Sequence, residues 1–372
     1  MAEAGLKENQ WKMKKEKVKH HRNKKKIALI SIVSILSAFF LIVLPVLTVI
    51  IYQDNFGGRF ETAEWVAYSV SEFDGLMVEE CTFPSNDGQL LAGYKYSKEN
   101  QQVKGVLVLA HGFGGGGHNS YMDVADYFTS NGYLVFAYDA TGNDKSEGDS
   151  VKGLPQGVID LDYALRYVKQ DDTYKDLPIV LFGHSWGGYS VGTVLNCHPD
   201  VKAAVLVAGF NRSADLIEQE GESMVGFGMK LLMPYISVYE RMKFGEYAAY
   251  SAIGGFANSD AGIMVIYSED DTVVLPENGS EKFYDAYSDD SRFCFIKFED
   301  RGHNYIYYSE AAKKYRDQLN EDYTAYVEAN GGEYNDEIHA EFMEKYRDKS
   351  KCYEFDYDLM GQILGLYDSY CK

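Results

Sequence analysis

A chain of 372 residues can form one large domain or two ordinary ones, and 46% hydrophobic with 25% charged residues is a globular composition rather than a disordered one. The formal net charge is −20, but residues 1–26 carry ten Lys or Arg against three Glu, a net of +7, so the rest carries −27. An acidic body repels nucleic-acid phosphates, which argues against a nucleic-acid partner.

The first element along the chain is an uncharged segment, residues 27–53, directly after the basic residues. As a helix, residues 27–51 would extend roughly 37 Å, which is enough to cross a bilayer. A cleaved signal peptide is the alternative, but its apolar region normally has about 7 to 15 residues and ends in small residues before a cut site. We therefore predict an uncleaved single-pass anchor in the cell membrane, with a basic cytoplasmic tail over residues 1–26 and the acidic body outside.

The segment that follows is predicted to connect this anchor to the body. Residues 52–77 form a stem, in which ETAEWVAYSVSEF is the one helix-like stretch. Next, CTFPSNDGQLLAGYKY predicts a β-hairpin that turns at Asn86-Asp87-Gly88, because Asp-Gly readily adopts the positive φ angles of such turns.

Further along, short apolar runs alternate with helix-like stretches. The runs are GVLVLAH, YLVFAYD, PIVLFGH, KAAVLVAG and GIMVIYS. They are too uniformly apolar for half-exposed strands, and stretches with apolar residues at three- and four-residue spacing separate the first four. This pattern predicts that residues 78–372 form an α/β domain whose mostly parallel sheet is flanked by helices.

Two segments depart from this alternation. Residues 211–260 are rich in Met, Phe and Tyr and replace a short crossover helix, so they predict an inserted cap. Helices that merely cover the core are the alternative. Residues 305–372 predict a helical C-terminal extension, with helix-like segments near 307–328, 335–349 and 355–370.

The five cysteines are too few and too scattered for a disulfide framework, and no C-x-x-C pair predicts a metal site. A bridge between Cys352 and Cys371 in the C-terminal helices stays open as an alternative.

The first candidate functional loop, HGFGGGGHNS, follows the run GVLVLAH. Gly112, Gly114 and Gly117 match G-x-G-x-x-G, and Asp139 lies 22 residues past Gly117, which is the outline of a dinucleotide site. Alternatively, the loop beginning at His111 supplies a backbone N–H to an oxyanion. The His-Asn-Ser after Gly117 is typical of a loop and an N-cap rather than a helix interior, which disfavours the dinucleotide hypothesis.

The second candidate is Gly183-His184-Ser185-Trp186-Gly187, a G-x-S-x-G motif between a strand-like and a helix-like stretch, where a nucleophilic serine needs small neighbours. A serine hydroxyl needs a base, and the base needs an orienting acid. His303 follows the last apolar run, and Asp270 and Asp271 follow GIMVIYS. The alternatives are that Ser185 caps a helix, Asp271 begins a turn and His303 is a surface residue.

With these motifs, the chain from about Cys81 to His303 resembles the α/β-hydrolase superfamily, most of all the bacterial relatives of monoacylglycerol lipases, lysophospholipases and serine aminopeptidases. The resemblance implies a catalytic triad of Ser185, Asp271 and His303. The family's H-G turn is matched by His111-Gly112-Phe113, so Phe113 and Trp186 would donate the N–H groups of the oxyanion hole.

Two further motifs depart from the family pattern. The positions that match the family's D-x-x-G-x-G-x-S and G-x-x-D-x-x-V-P are Asp139, Gly142, Ser146, Asp271 and Val274. Asp144 and Ser268 stand where the family usually has glycine, and Leu275 where it has proline. These departures leave the choice between Asp270 and Asp271 open.

The resemblance implies a serine hydrolase that forms an acyl-enzyme and needs no metal or organic cofactor. A membrane helix and an apolar, Met-rich cap favour carboxylic esters of lipid-like substrates. A serine peptidase or aminopeptidase acting on short peptides is one alternative. A non-catalytic binding protein with the same fold is the other.

Overall fold

The computed structural model describes residues 2–99, 102–114 and 116–372. Its strands are β1 (Met77–Pro84), β2 (Leu90–Ser97), β3 (Gly105–Ala110), β4 (Tyr133–Tyr138), β5 (Ile179–His184), β6 (Ala203–Val207), β7 (Gly262–Ser268) and β8 (Phe293–Phe298). Within the described residues they form one sheet in the order β1-β2-β4-β3-β5-β6-β7-β8. The pairs β1–β2 and β2–β4 are antiparallel and the others are parallel, which confirms the mostly parallel sheet.

Helices cover both faces of this sheet. They are α1 (Ala2–Ala38), α2 (Leu44–Phe56), α3 (Met122–Ser130), α4 (Leu154–Val168), α5 (Trp186–Thr193), α6 (Ser213–Val225), α7 (Met229–Phe244), α8 (Ala252–Asn258), α9 (Ser280–Tyr287), α10 (Glu310–Ala329), α11 (Asp336–Tyr346), α12 (Lys349–Cys352) and α13 (Tyr357–Tyr370). Successive side chains of a strand point to opposite faces, so Val106 and Val108 of β3 lie in one core cluster and Leu107 and Leu109 in another. The uniformly apolar runs of the sequence are therefore strands buried on both faces.

The predicted hairpin is confirmed, and the helix-like stretch before it is not an α-helix. β1 and β2 pair with Pro84 opposite Leu90, and Gly88 has a φ of +83° in the turn between them. In the stretch ETAEWVAYSVSEF the structure has only a 3₁₀ turn, Val70–Glu72. The backbone N–H and the hydroxyl of Thr62 donate to the carboxylate of Asp144, which holds the start of this stretch against a distant loop.

One helix among the described residues is long and apolar enough to cross a membrane: Asn9–Phe56, which joins α1 and α2 through a π-helical turn at Phe39–Val43. Most of its apolar side chains are exposed, but Leu44, Thr48 and Tyr52 are buried. Their spacing of four residues places them on one side of α2, which is the side that contacts the rest of the protein.

The buried side of α2 packs against α7. The structure places α6, α7 and α8 between β6 and β7, where residues 211–260 were expected to form a cap. Tyr52 Oη donates to Glu240 Oε1 at 2.9 Å, and Gln53 Nε2 donates to Tyr239 Oη at 2.7 Å. The start of the predicted stem, residues 52–77, is therefore the end of a helix that packs against α7.

The C-terminal helices α10, α11 and α13 match the three predicted segments, and the short α12 was not predicted. α13 packs under the sheet, where Tyr367 Oη donates to the carbonyl of Leu181 at 2.7 Å. The alternative of a Cys352–Cys371 disulfide is contradicted, because both cysteines are free. Cys352 packs among α10 and α11, whereas Cys371 packs against the core cluster beneath the sheet.

Candidate active site

Ser185 lies in the sharp turn between β5 and α5. Its φ of +56° and ψ of −115° are values that residues other than glycine rarely adopt. The turn fits because its neighbours lack a Cβ: one on Gly183 would lie 2.2 Å from the carbonyl oxygen of Gly187, and one on Gly187 would lie 2.0 Å from that of Ala110. This close packing holds the serine in a strained conformation at the end of the strand.

The structure brings the three predicted triad residues into one hydrogen-bonded series. His303 Nε2 lies 2.8 Å from Ser185 Oγ, and His303 Nδ1 lies 2.8 Å from Asp271 Oδ2. The other oxygen of Asp271 accepts the N–H groups of Val273 and Val274, each at 2.9 Å. Because the Asp271 carboxylate can only accept a hydrogen bond, Nδ1 of His303 carries the proton. Nε2 of the same ring is then free to accept the proton of the serine.

Asp270 has a different set of partners. Its Oδ1 accepts the hydroxyl of Ser268 at 2.5 Å and the N–H of Gly302 at 2.8 Å. Ser268 Oγ in turn accepts the N–H of Arg301 at 2.8 Å. Ser268, in place of the family's usual glycine, therefore connects the loop after β7 with the loop that carries His303.

His184 links the histidine loop with the glycine-rich loop, a connection that sequence analysis did not identify. Gly112 N–H donates to Tyr121 Oη at 3.1 Å, and Tyr121 Oη lies 2.9 Å from His184 Nδ1. His184 Nε2 donates to the carbonyl of His303 at 2.9 Å, so Nδ1 of the neutral ring carries no proton and accepts from the Tyr121 hydroxyl. Burial is the main cause that lowers the pKa of His184 from 6.5 to about 3, and repulsion from His303 lowers it further. The ring therefore stays neutral.

The sequence alone does not distinguish Tyr121 and His184 from the other tyrosines and histidines of the chain. Tyr121 is one of 31 tyrosines, and its partner is 63 residues away along the chain. His184 lies within the serine motif, but any residue is allowed at that position of G-x-S-x-G.

The two predicted oxyanion donors lie side by side. The rings of Phe113 and Trp186 are 5.5 Å apart in an edge-to-face arrangement, and both residues line the same cavity as Ser185 and His303. The N–H of Trp186 belongs to the first turn of α5, where a helix supplies no acceptor for it. Trp186 is fixed in place, because its Nε1 donates to the carbonyl of Leu154 at 2.7 Å.

The described residues of the glycine-rich loop, 111–114 and 116–120, do not form a site for a dinucleotide. Asp139, the residue that would bind a ribose, is fully buried. Its Oδ1 accepts the backbone N–H of His118 and lies 2.7 Å from Nδ1 of the same histidine, and its Oδ2 accepts the hydroxyl of Tyr94. Gly117 precedes a 3₁₀ turn instead of lying inside a helix, and a Cβ there would lie 2.0 Å from Asp144 Oδ2. The acid that suggests a Rossmann site instead holds the loop in place.

Asp144, which stands where the family usually has another glycine, adopts a backbone conformation with positive φ. Its φ is +38°, in the left-handed region that aspartate tolerates better than most residues. Its two carboxylate oxygens accept the N–H and the hydroxyl of Thr62, each at 2.6 Å. The Asp144 side chain thus binds the segment before β1 to the loop after β4, and Thr62 Oγ1 in turn accepts the N–H of Gly117 in the glycine-rich loop at 2.7 Å.

A cavity of about 760 Å³ lies above Ser185 and His303. Apolar side chains of α6 and α7 line one part of it: Leu216, Ile217, Met229, Leu232 and Ile236. The end of α2 contributes Ile51, Tyr52 and Phe56 beside them. Tyrosines line another part: Tyr121, Tyr305, Tyr307, Tyr308 and Tyr353.

Comparison with known proteins gives partial matches in sequence. The family model described as "Serine aminopeptidase, S33" matches residues 101–252. Caffeoylshikimate esterase of Arabidopsis thaliana is 31% identical over 136 residues, which are 36% of this chain and 39% of that protein. Monoglyceride lipase of Rattus norvegicus is 34% identical over 105 residues, 27% of this chain and 33% of the lipase. The chain thus spans between a third and two fifths of the length of these two relatives.

The likeness in structure is more extensive. An esterase from Pyrococcus furiosus superposes with a TM-score of 0.51 at 15% identity, over 73% of this chain and 98% of the esterase. The chain has the α/β-hydrolase fold. In this fold, Ser185, Asp271 and His303 follow β5, β7 and β8, at the carboxyl edge where open parallel sheets bind their ligands.

The neutral buried His184 makes the stability of this α/β-hydrolase fold depend on pH. Its pKa is lower in the folded protein than in the unfolded chain, so its contribution to stability is present above pH 6.5 and is lost as the pH falls towards about 3. From pH 7 to pH 5, the wild type should lose about 2 kcal/mol more of its free energy of unfolding than His184→Gln. Urea unfolding of both proteins at the two pH values measures this, and equal losses would contradict it.

Proposed function

We propose that this protein is a membrane-anchored serine hydrolase that cleaves carboxylic esters of lipid-like substrates. The observation that supports this most strongly is the hydrogen-bonded series Ser185, His303 and Asp271 at the base of a largely apolar cavity. Small-molecule esters are the broader substrate class, and lipid-like esters are the narrower part of the proposal.

The reaction proceeds through an acyl-enzyme. His303 Nε2 takes the proton of Ser185 as its oxygen attacks the ester carbonyl, and Asp271 stabilises the imidazolium. The N–H groups of Phe113 and Trp186 bind the oxyanion of the tetrahedral intermediate. His303 then gives the proton to the departing alcohol, and afterwards activates the water that releases the acid and restores Ser185.

The neighbouring carboxylates Asp270 and Asp271 provide a matched test of these roles. Ser185→Ala should lower kcat by on the order of 10⁴ to 10⁶, because the nucleophile is lost. Asp271→Asn should lower kcat by roughly 10⁴, because His303 loses the acceptor that orients it. Asp270→Asn should have a much smaller effect, since its hydrogen bonds hold loops rather than the imidazole.

Hydrolysis of a short ester such as p-nitrophenyl butyrate measures all three variants. If Asp270→Asn is the more damaging of the two aspartate variants, the orienting role belongs to Asp270. Unchanged turnover in Ser185→Ala would contradict the role of Ser185 as the nucleophile, and no turnover by the wild type would support a non-catalytic binding protein instead.

The membrane part of the proposal is supported by the long N-terminal helix. The side chains of Ile30, Ile35 and Leu41 are more than 60% exposed although they are apolar, which favours a lipid environment around them. The basic residues of the tail precede the apolar part of this helix, and positive charge favours the cytoplasmic side. We therefore place residues 1–26 in the cytoplasm and the catalytic body outside.

Protease added to intact spheroplasts tests this orientation. It should remove the body and leave a membrane-bound fragment of the N-terminal helix, because an outer body is accessible and the membrane shields the tail. A body that resists protease until the cells are lysed would contradict the orientation. A body recovered in the medium without added protease would indicate a cleaved signal peptide.

The lipid-ester preference is supported by the cap. Leu216, Met229 and Leu232 line the cavity, and Met224 and Phe227 at the α6–α7 junction are 70% and 77% exposed. Flexible thioethers and aromatic rings suit an apolar acyl chain. Monoglyceride lipase is also among the proteins that the chain matches in sequence.

An aminopeptidase is the second candidate, favoured by two carboxylates at the cavity. Asp54 and Glu220 line it and could bind the ammonium group of a peptide's N-terminus. Both side chains are exposed, so solvent screens that attraction. The family model that matches residues 101–252 is also described as a serine aminopeptidase.

Activity on a series of acyl chains separates these candidates. Each buried methylene contributes about 0.8 kcal/mol, so kcat/KM for p-nitrophenyl esters should rise several-fold per added carbon from acetyl towards decanoyl until the cavity is full. Aminoacyl p-nitroanilides serve as the comparison substrates. A flat or falling ester series together with strong turnover of the anilides would replace the lipid-ester proposal with the aminopeptidase.

A further inference from the structure

The end of the N-terminal helix is part of the wall of the active-site cavity. Ile51, Tyr52 and Phe56 of α2 line the cavity together with the cap residues and Ser185. The ring of Phe56 lies 5.7 Å from that of Phe113, the predicted oxyanion donor, in an edge-to-face contact. A helix that only tethered the body to a membrane would have no such contacts.

This part of α2 is held in place by polar contacts with α7. Tyr52 Oη donates to Glu240 Oε1, which also accepts the hydroxyl of Ser213 at 2.7 Å. Glu240 is 2% exposed, so leaving its oxygens without these donors would be costly. The Tyr52 ring also packs edge to face on Tyr239 at 5.1 Å. The polar contacts fix the position of α2 beside the cap.

A second contact lies nearer the middle of the apolar helix. Pro45 has no backbone N–H, and the N–H of Leu44 donates to the carbonyl of Phe39 in the π-helical turn. Neither neighbouring donor of the helix is therefore directed at the carbonyl of Phe40. The hydroxyl of Tyr235 on α7 donates to that carbonyl at 2.9 Å. The irregular turn thus creates an acceptor that the cap uses.

We propose that α2 is a substrate-binding element, in which Ile51 helps to set the length of acyl chain that the cavity accepts. This inference rests on the proposed function, since it concerns the acyl site of that reaction. Phe40 lies eleven residues before Ile51, roughly 16 Å along the helix axis, so α7 runs beside the apolar part of the helix. In the proposed orientation, the cavity therefore borders the region of α2 that meets the outer leaflet.

Adjacent residues of α2 give a matched pair of positions for a test. Ile51 is half-buried and lines the cavity, whereas Ile50 is 60% exposed and points away from the protein. Ile51→Trp should shorten the space for an acyl chain, and Ile51→Ala should lengthen it. Ile50→Trp introduces the same side chain on the same helix without entering the cavity.

The measurement is the rate at which butyl and decyl fluorophosphonates label Ser185 in full-length protein, with every variant in the same detergent. The decyl-to-butyl ratio should fall about tenfold in Ile51→Trp, because an indole ring displaces several methylenes from the apolar cavity. It should rise in Ile51→Ala and stay at the wild-type value in Ile50→Trp. Wild-type labelling by the butyl reagent shows that a variant is folded.

The outcomes separate this inference from the proposed function. If the wild type is labelled but both Ile51 variants keep its decyl-to-butyl ratio, α2 is not part of the acyl site and the inference is wrong. If the wild type is not labelled by either reagent, the proposed function fails first. Should Ile51→Trp lose butyl labelling through misfolding, the ratio in Ile51→Ala decides the inference.

Discussion

The strained turn at Ser185 is the constraint on which the site depends. A residue with a Cβ keeps a φ of +56° only where the structure around it holds it in that conformation. Gly183 and Gly187 allow the backbone to pack closely around this turn, since a Cβ on either would lie within 2.2 Å of a carbonyl oxygen. The parallel sheet then brings the loops after β7 and β8 to the same edge, so Asp271 and His303 meet the serine.

The loops at this edge are connected by polar side chains rather than by packing alone. Ser268 and Asp270 hold the histidine loop to the acid loop, and Tyr121 and His184 hold it to the glycine-rich loop. Buried polar groups each need a hydrogen-bond partner. The neutral ring of His184 has one donor and one acceptor, and both are paired. The position of His303 thus follows from several short contacts.

Most of the architecture could be predicted from the sequence because its signals are local. Uniformly apolar runs correspond to strands, and the small residues around Ser185 mark the turn. The helix-like stretch after residue 60 has only a 3₁₀ turn, and its Thr62 binds Asp144, a residue more than 80 positions away. Tyr121, Thr62 and the end of α2 join the site through the same kind of long-range contact, which no spacing along the chain reveals.

The account depends most directly on an acyl group being carried by Ser185. Mixing the protein with decanoyl p-nitrophenyl ester, quenching in acid and mapping the peptides by mass spectrometry would detect that intermediate. We expect one decanoyl group on the peptide that contains Ser185, and none in Ser185→Ala under the same conditions. Turnover of the ester with the acyl group on another residue, or with the same yield in the alanine variant, would contradict the account.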